Sequence, residues 1–306
     1  MSGIRALPLA VWVGTGLVWG TTWGVIRLGL QDMPPFTFAA LRTLLAAATL
    51  LVVAQLVDGR RRPAGPESWF WAVIGLFQIG APYALIFWAE QSLSSGLTAI
   101  LFATFPAFTV IAAHFLLRDE SLSLGTVAGT LLALVAVGLL VTPSRGEVPA
   151  PGAVAAVLVA SMAAALGVVL VRRHGRSTST LWLTALQVSS AAVFLGVLAL
   201  TLERGRQLAF TATAVFSILY LALAVTVGCY LGLFWLLKRL DATFVSMGVI
   251  FETAVGVLIG SVVLSEPLGL RVFGGLGLVG ISVYLVTVKR RGEGEGEGEG
   301  AEPVVL

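Results

Sequence analysis

The chain reads as an all-α polytopic membrane protein, with ten transmembrane helices in two inverted five-helix repeats and both termini cytoplasmic. Three observations predict this. The 306 residues are 58% hydrophobic and 11% charged, with a mean hydropathy of +0.97. A soluble domain carries about 25% charge, so this composition cannot coat a water-facing surface. The apolar residues gather in ten runs, each near the ~20 residues that a helix needs to cross a bilayer. Pieces of the first five runs recur, in order, in the second five.

The runs lie at about 7–29, 36–57, 69–89, 95–117, 123–142, 151–171, 180–202, 211–237, 242–264 and 268–288. None shows the ten-residue alternation of a membrane barrel, and only helices satisfy the backbone of an isolated segment in lipid. The first run has a basic start, is too long for a signal peptide and shows no cleavage pattern, so it is expected to be retained as a span. Orientation follows from the basic residues of the connections. With the N-terminus inside, thirteen Lys and Arg fall in inner connections and five in outer ones, and Arg42 lies within a span.

Tyr83-Ala-Leu-Ile-Phe87-Trp88 in the third span matches Tyr230-Leu-Gly-Leu-Phe234-Trp235 in the eighth, a shift of 147 residues. Ala40-Leu41-Arg42 in the second span matches Ala185-Leu186-Gln187 in the seventh, a shift of 145. An odd number of spans per unit inserts the two copies in opposite senses, an architecture that puts a substrate site near the midplane. The expected organisation is a repeat over 1–147, a second over 148–291 and a disordered, solvated Gly-Glu tail over 292–306.

Several functions are excluded at this level. The basic excess, 19 Lys and Arg against 16 Asp and Glu, sits in loops rather than in a nucleic-acid patch. Cys229 stands alone in an apolar run, and neither His114 nor His174 has ligands at zinc-like spacing, so no metal or other cofactor is expected. An enzyme would need a nucleophile–base pair or metal ligands near one interface, and the short loops offer neither.

The candidate site centres on Glu252, near the middle of the ninth span. A carboxylate at that depth costs several kcal/mol if it faces lipid, so it should face protein or a watery cavity. Gly248, Gly256 and Gly260 share its four-residue spacing and form a ridge that lets a helix or a substrate approach closely. Its alternatives are a protonated packing residue and a group that binds a proton or the substrate's positive end. Trp19 and Trp23, one turn apart beside Gly16, Gly20 and Gly24, are deeper than an interfacial belt and are candidates for lining a cavity. Gln78, Tyr83 and Tyr230 put polar groups at interior depth and need partners there. Ser161, Gln187 and Ser246 are weaker instances. Pro106 breaks the fourth span and deprives the Phe102 carbonyl of its usual donor, either as a tolerated kink or as irregular backbone on a cavity. Arg42, within snorkelling reach of the outer surface, is assigned a structural role at helix ends. Glu90, Glu120 and Glu266 sit at span ends as capping or gate-pairing groups, with Asp119. Trp69 and Trp71 read as belt anchors of the third span.

The motifs Trp19-Gly20-Thr21-Thr22-Trp23-Gly24, Met33-Pro34-Pro35-Phe36 and Leu41-Arg42 resemble those of the EamA-type drug/metabolite transporters. Leu117-Arg118-Asp119-Glu120-Ser121-Leu122 and Leu264-Ser265-Glu266-Pro267-Leu268 look like that family's helix-ending acidic motif, once per half. The resemblance covers about 7–288. It departs where the family often shows Glu-Pro, since Glu252 is followed by Thr253. It implies a ten-helix inner-membrane carrier in a lipid bilayer, exporting amino acids or other small metabolites by alternating access. Proton antiport through Glu252 and uniport both stay open, as do monomer and homodimer. The rival within transport is a broad-specificity exporter of lipophilic cations. The rivals from other classes are a membrane-embedded enzyme and a sensor without flux.

Overall fold

The computed structural model describes residues 6–117 and 149–264, with scattered helical positions between 124 and 135 and between 273 and 285. Among the described residues seven helices are long and apolar enough to cross a membrane: Ala6–Gly29, Pro35–Arg61, Gly65–Ala89, Ser95–Leu116, Pro151–His174, Thr180–Leu202 and Ala212–Leu237. They are the first to fourth and sixth to eighth expected spans. The ninth comprises two helices, Ala242–Ser246 and Gly248–Leu264. The fifth and tenth expected spans fall largely outside the described residues. The outer surface is apolar, with Leu56, Phe115 and Leu200 all more than three-quarters exposed, as a lipid-facing shell requires.

Local chemistry explains where the spans begin. Pro35 and Pro151 occupy first-turn positions, where a missing N–H costs nothing and the fixed φ suits a helix. Ser94 and Thr211 accept from Leu97 N and Ala214 N and so cap the fourth and eighth spans.

Five of the described spans are irregular. The first turns at Thr21, whose hydroxyl donates to Val18 O and meets Tyr220 Oη at 2.6 Å. The third carries a π-helical stretch over Leu76–Gly80, just before Pro82, which cannot donate to the Gln78 carbonyl. The fourth breaks at Ala103–Thr104 ahead of Pro106. The eighth is π-helical over Leu221–Cys229, with Thr226 Oγ1 donating to Leu221 O five residues back. Both π-helical stretches lead into the matched Tyr-containing segments. The ninth span turns at Met247 although it has no proline there.

The helix packing follows a pattern. The first span packs on the ninth and the sixth on the fourth; the first on the eighth and the sixth on the third. The second packs on the eighth and the seventh on the third, while the second and seventh lie along one another. The second and seventh run antiparallel and cap one another. Glu203, ending the seventh, accepts from Phe36 N (3.0 Å) and Thr37 N (2.7 Å) at the start of the second. Asp58, ending the second, accepts from Ser179 Oγ through its carboxylate and from Trp182 Nε1 through its carbonyl, at the start of the seventh. A carboxylate at a helix N-terminus satisfies orphan N–H groups and complements the helix dipole. Glu203 and Asp58 are 145 residues apart, the shift that relates Arg42 to Gln187.

Glycine decides how closely the first and ninth spans approach. A Cβ on Gly20 would lie 2.4 Å from Val255 Cβ and 2.8 Å from the Glu252 carbonyl oxygen. A Cβ on Gly256 would lie 2.7 Å from Trp23 Cδ1. The glycine ridge beside Glu252 thus receives the first span, the interpretation in which small residues serve helix packing.

Candidate functional site

The spans surround a cavity of about 100 Å³, walled by residues of the first to fourth, sixth, eighth and ninth spans. That is well above the ~10–15 Å³ a single water needs, so a small solute has room there. The wall is overwhelmingly apolar and aromatic. Among the described residues its two charged side chains are Glu252 and Arg42.

Glu252 is 5% exposed and lines the cavity. The Trp23 indole N–H faces its carboxylate without closing a well-formed hydrogen bond. Trp12 and Trp19 of the first span and Phe102 and Phe105 of the fourth line the same cavity. Trp23 packs on Phe102 with ring centroids 5.5 Å apart, and Trp19 meets Tyr230 edge-on at 5.7 Å.

Arg42 departs from its expected position. It is 1% exposed and neither snorkels nor reaches helix-end carbonyls. Its guanidinium crosses to the third and eighth spans, where Nη2 donates to Tyr83 Oη (3.1 Å) and Thr226 Oγ1 (3.0 Å). The guanidinium carbon lies 4.4 Å from the Tyr83 ring centre and 5.5 Å from that of Phe87, a cation–π seat. The azimuth of a residue on its helix is set by neighbouring helices, which the local sequence does not reveal.

Trp19, Trp23, Gln78, Tyr83 and Tyr230 all stand on the wall with Glu252. Gln78 is 2% exposed, and both its amide atoms lack a protein partner. Gly167 makes room for it, since a Cβ there would lie 2.4 Å from Gln78 Cβ.

Pro106, Ser161 and Ser246 stand off the wall. Ser161 lies at the fourth span's break, donating to the Phe102 carbonyl at 3.4 Å and accepting from Thr104 Oγ1 at 3.0 Å. It thereby supplies the donor that Pro106 removes. Ser246 spends its hydroxyl on Thr243 O at 2.7 Å, within its own turn. Glu90 ends the third span, as expected, and its backbone carbonyl accepts from Arg27 Nη1. Glu120 and Glu266 lie outside the described residues. Trp69 is exposed, as an anchor would be, but Trp71 is 1% exposed and donates to Thr178 Oγ1 at 3.2 Å, so it packs inside.

Sequence reasoning missed Trp12, Phe105 and Thr226. Trp12 had a signal, because it precedes Trp19 by seven residues and Trp23 by eleven, spacings that keep all three on one helical stripe. Phe105 and Thr226 had none, since their roles arise from the break and the π-helical stretch around them.

Fold and site together define a multi-span helical membrane protein built around a mostly apolar cavity that holds a carboxylate and a guanidinium. The chain belongs to the EamA-like transporter family, whose profile matches residues 7–142 and again 151–288. It is 26% identical over 275 residues to an uncharacterized transporter of Archaeoglobus fulgidus, covering 89% of this chain and 95% of that protein. It is 27% identical to the uncharacterized transporter YvbV of Bacillus subtilis, covering 90% of each. It is 25% identical to the uncharacterized inner membrane transporter YedA of Escherichia coli, covering 89% of this chain and 88% of that protein. A crystal structure of another protein shares the fold, with a TM-score of 0.73 at 18% identity, over 94% of this chain and 99% of that one.

Proposed function

We propose that the protein is a secondary transporter of a bacterial-type inner membrane that exports small metabolites, foremost amino acids and related compounds, by alternating access. In this reading ten spans form two inverted five-helix repeats, 1–147 and 148–291, before the 292–306 tail, and both termini are cytoplasmic. The doubled family match, the exchange-symmetric helix packing and the antiparallel second and seventh spans support the repeat. The basic connections support the orientation, and the name of the Escherichia coli relative supports the membrane.

The observation that carries this reading is the cavity between the two sets of spans, with Glu252 on its wall. The carboxylate binds the substrate's ammonium or a proton, and rocking of the halves exposes it to one side at a time. The test is efflux of a panel of labelled amino acids and other metabolites from proteoliposomes of wild type and Glu252→Gln. Loss of flux, or of its pH dependence, in the variant is expected. Unchanged rate and unchanged pH dependence would remove Glu252 from the mechanism. Absence of flux for every solute would favour a sensor or an enzyme.

A second reading has its own observation. Trp12, Trp19, Trp23, Phe102 and Phe105 line the same cavity as Glu252, and ring faces of this kind receive a cation. An exporter of lipophilic cations would be inhibited by quaternary ammonium compounds and left untouched by amino acids.

A further inference from the structure

Arg42 poses a problem that packing alone does not solve. A guanidinium has five N–H donors and no acceptor. Here Nη2 is spent on Tyr83 and Thr226, while Nε and Nη1 are buried with no protein partner. Arg42 makes no ion pair with any described residue. A buried charge without a direct ion pair is strongly unfavourable, and the more distant Glu90 carboxylate and the ring faces of Tyr83 and Phe87 offset only part of its lost hydration. The side chain nonetheless lines the cavity that Glu252 also lines.

We propose that Arg42 is the anion-binding group of this cavity, and that Arg42 and Glu252 together select solutes carrying a carboxylate and an ammonium. This rests on the transport reading of the cavity and adds a specificity that Glu252 alone does not supply. Tyr83 and Thr226 fix the guanidinium from one side through Nη2, leaving Nε–H and Nη1–H for a ligand oxygen. Gln78, on the same wall with its amide unpaired, adds a neutral donor and acceptor for the polar end of the solute. Tyr230 stands on the same wall as Arg42 and Glu252. The remaining aromatic and aliphatic wall receives the solute's apolar part.

The experiment uses the purified full-length chain in detergent and reads tryptophan fluorescence, because Trp12, Trp19 and Trp23 line the cavity. Three probes of like shape are titrated: leucine with both charges, isopentylamine with the ammonium alone, and 4-methylpentanoate with the carboxylate alone. Wild type is expected to bind leucine tightest. Arg42→Gln is expected to weaken leucine and 4-methylpentanoate by at least about tenfold, the scale of one charge-assisted hydrogen bond, and to leave isopentylamine unchanged. Arg42→Lys should recover part of the loss. If the variant kept its carboxylate affinity, the inference would be overturned. Should Arg42→Gln not fold, wild type alone decides: no binding of 4-methylpentanoate, and leucine held no tighter than isopentylamine, would overturn it as well. Efflux on the same preparation separates the two levels. Flux that depends on Glu252 with no carboxylate preference sinks this inference only, whereas neither flux nor binding sinks the transport reading with it.

Discussion

The approach of the first and ninth spans predicts opposite outcomes for two glycines on one helix. In Gly20→Ala the new methyl would lie 2.4 Å from Val255 Cβ, 2.6 Å from Val255 Cγ1 and 2.8 Å from the Glu252 carbonyl oxygen. Carbon atoms rest at about 3.5–4.0 Å, so the spans must part by about 1 Å or more. The contact atoms are backbone and the root of a β-branched side chain, which cannot swing aside. Overpacking of this kind costs about 1–3 kcal/mol. Because the strained oxygen belongs to Glu252, that residue's position in the cavity shifts too. In Gly14→Ala the methyl meets nothing within 4 Å, and alanine is the better helix former by up to about 1 kcal/mol. Thermal unfolding of both purified variants in one detergent should place Gly20→Ala clearly below wild type and Gly14→Ala at or above it. Equal melting of the two would refute the packing argument, since nothing else distinguishes a methyl on one from a methyl on the other.

Three further outcomes follow from the hydrogen bonds and packing. Glu203→Ala removes the carboxylate that accepts from Phe36 N, Thr37 N and Thr37 Oγ1, and should cost about 1–2 kcal/mol of stability. Glu203→Gln should recover part of it, as read from denaturation in mixed micelles. Ser161→Ala takes away the donor to the Phe102 carbonyl at the fourth span's break and should cost about 1 kcal/mol, while solute affinity stays as in wild type because Ser161 is off the wall. Gly167→Ala drives a methyl to 2.4 Å from Gln78 Cβ, so it should alter solute affinity, read by the fluorescence titration, as well as lower the melting temperature.

Much of the site is legible in the sequence. Glu252, Trp19, Trp23, Gln78, Tyr83 and Tyr230 are polar or aromatic groups deep in apolar runs, and all of them stand on one cavity wall. Depth along a helix can be counted from its rise per residue, and a polar group at depth needs a reason. The same reasoning misplaced residues whose polarity is satisfied within a turn or at a neighbouring break, as with Ser246 and Ser161. A hydroxyl can return its proton to a nearby carbonyl at no visible sign in the sequence. Trp71 misled in the opposite direction. Near a span end it resembles a belt residue, yet its ring turns inward to Thr178.

By itself, the sequence determined that this chain lives in a bilayer and where its spans lie, because unbroken apolar runs have only the helix with which to pair their backbone in lipid. It also shows segments of the first half matched in the second, which need no folding to be seen. Tertiary structure alone decided which way each side chain faces. Arg42 enters the cavity because the second span lies along the seventh with Tyr83 and Thr226 opposite, and Gly20 brings Glu252 near Trp23 because the first span lies against the ninth. Helix azimuth and helix separation are properties of pairs of helices, written in the residues of both partners and in neither one alone.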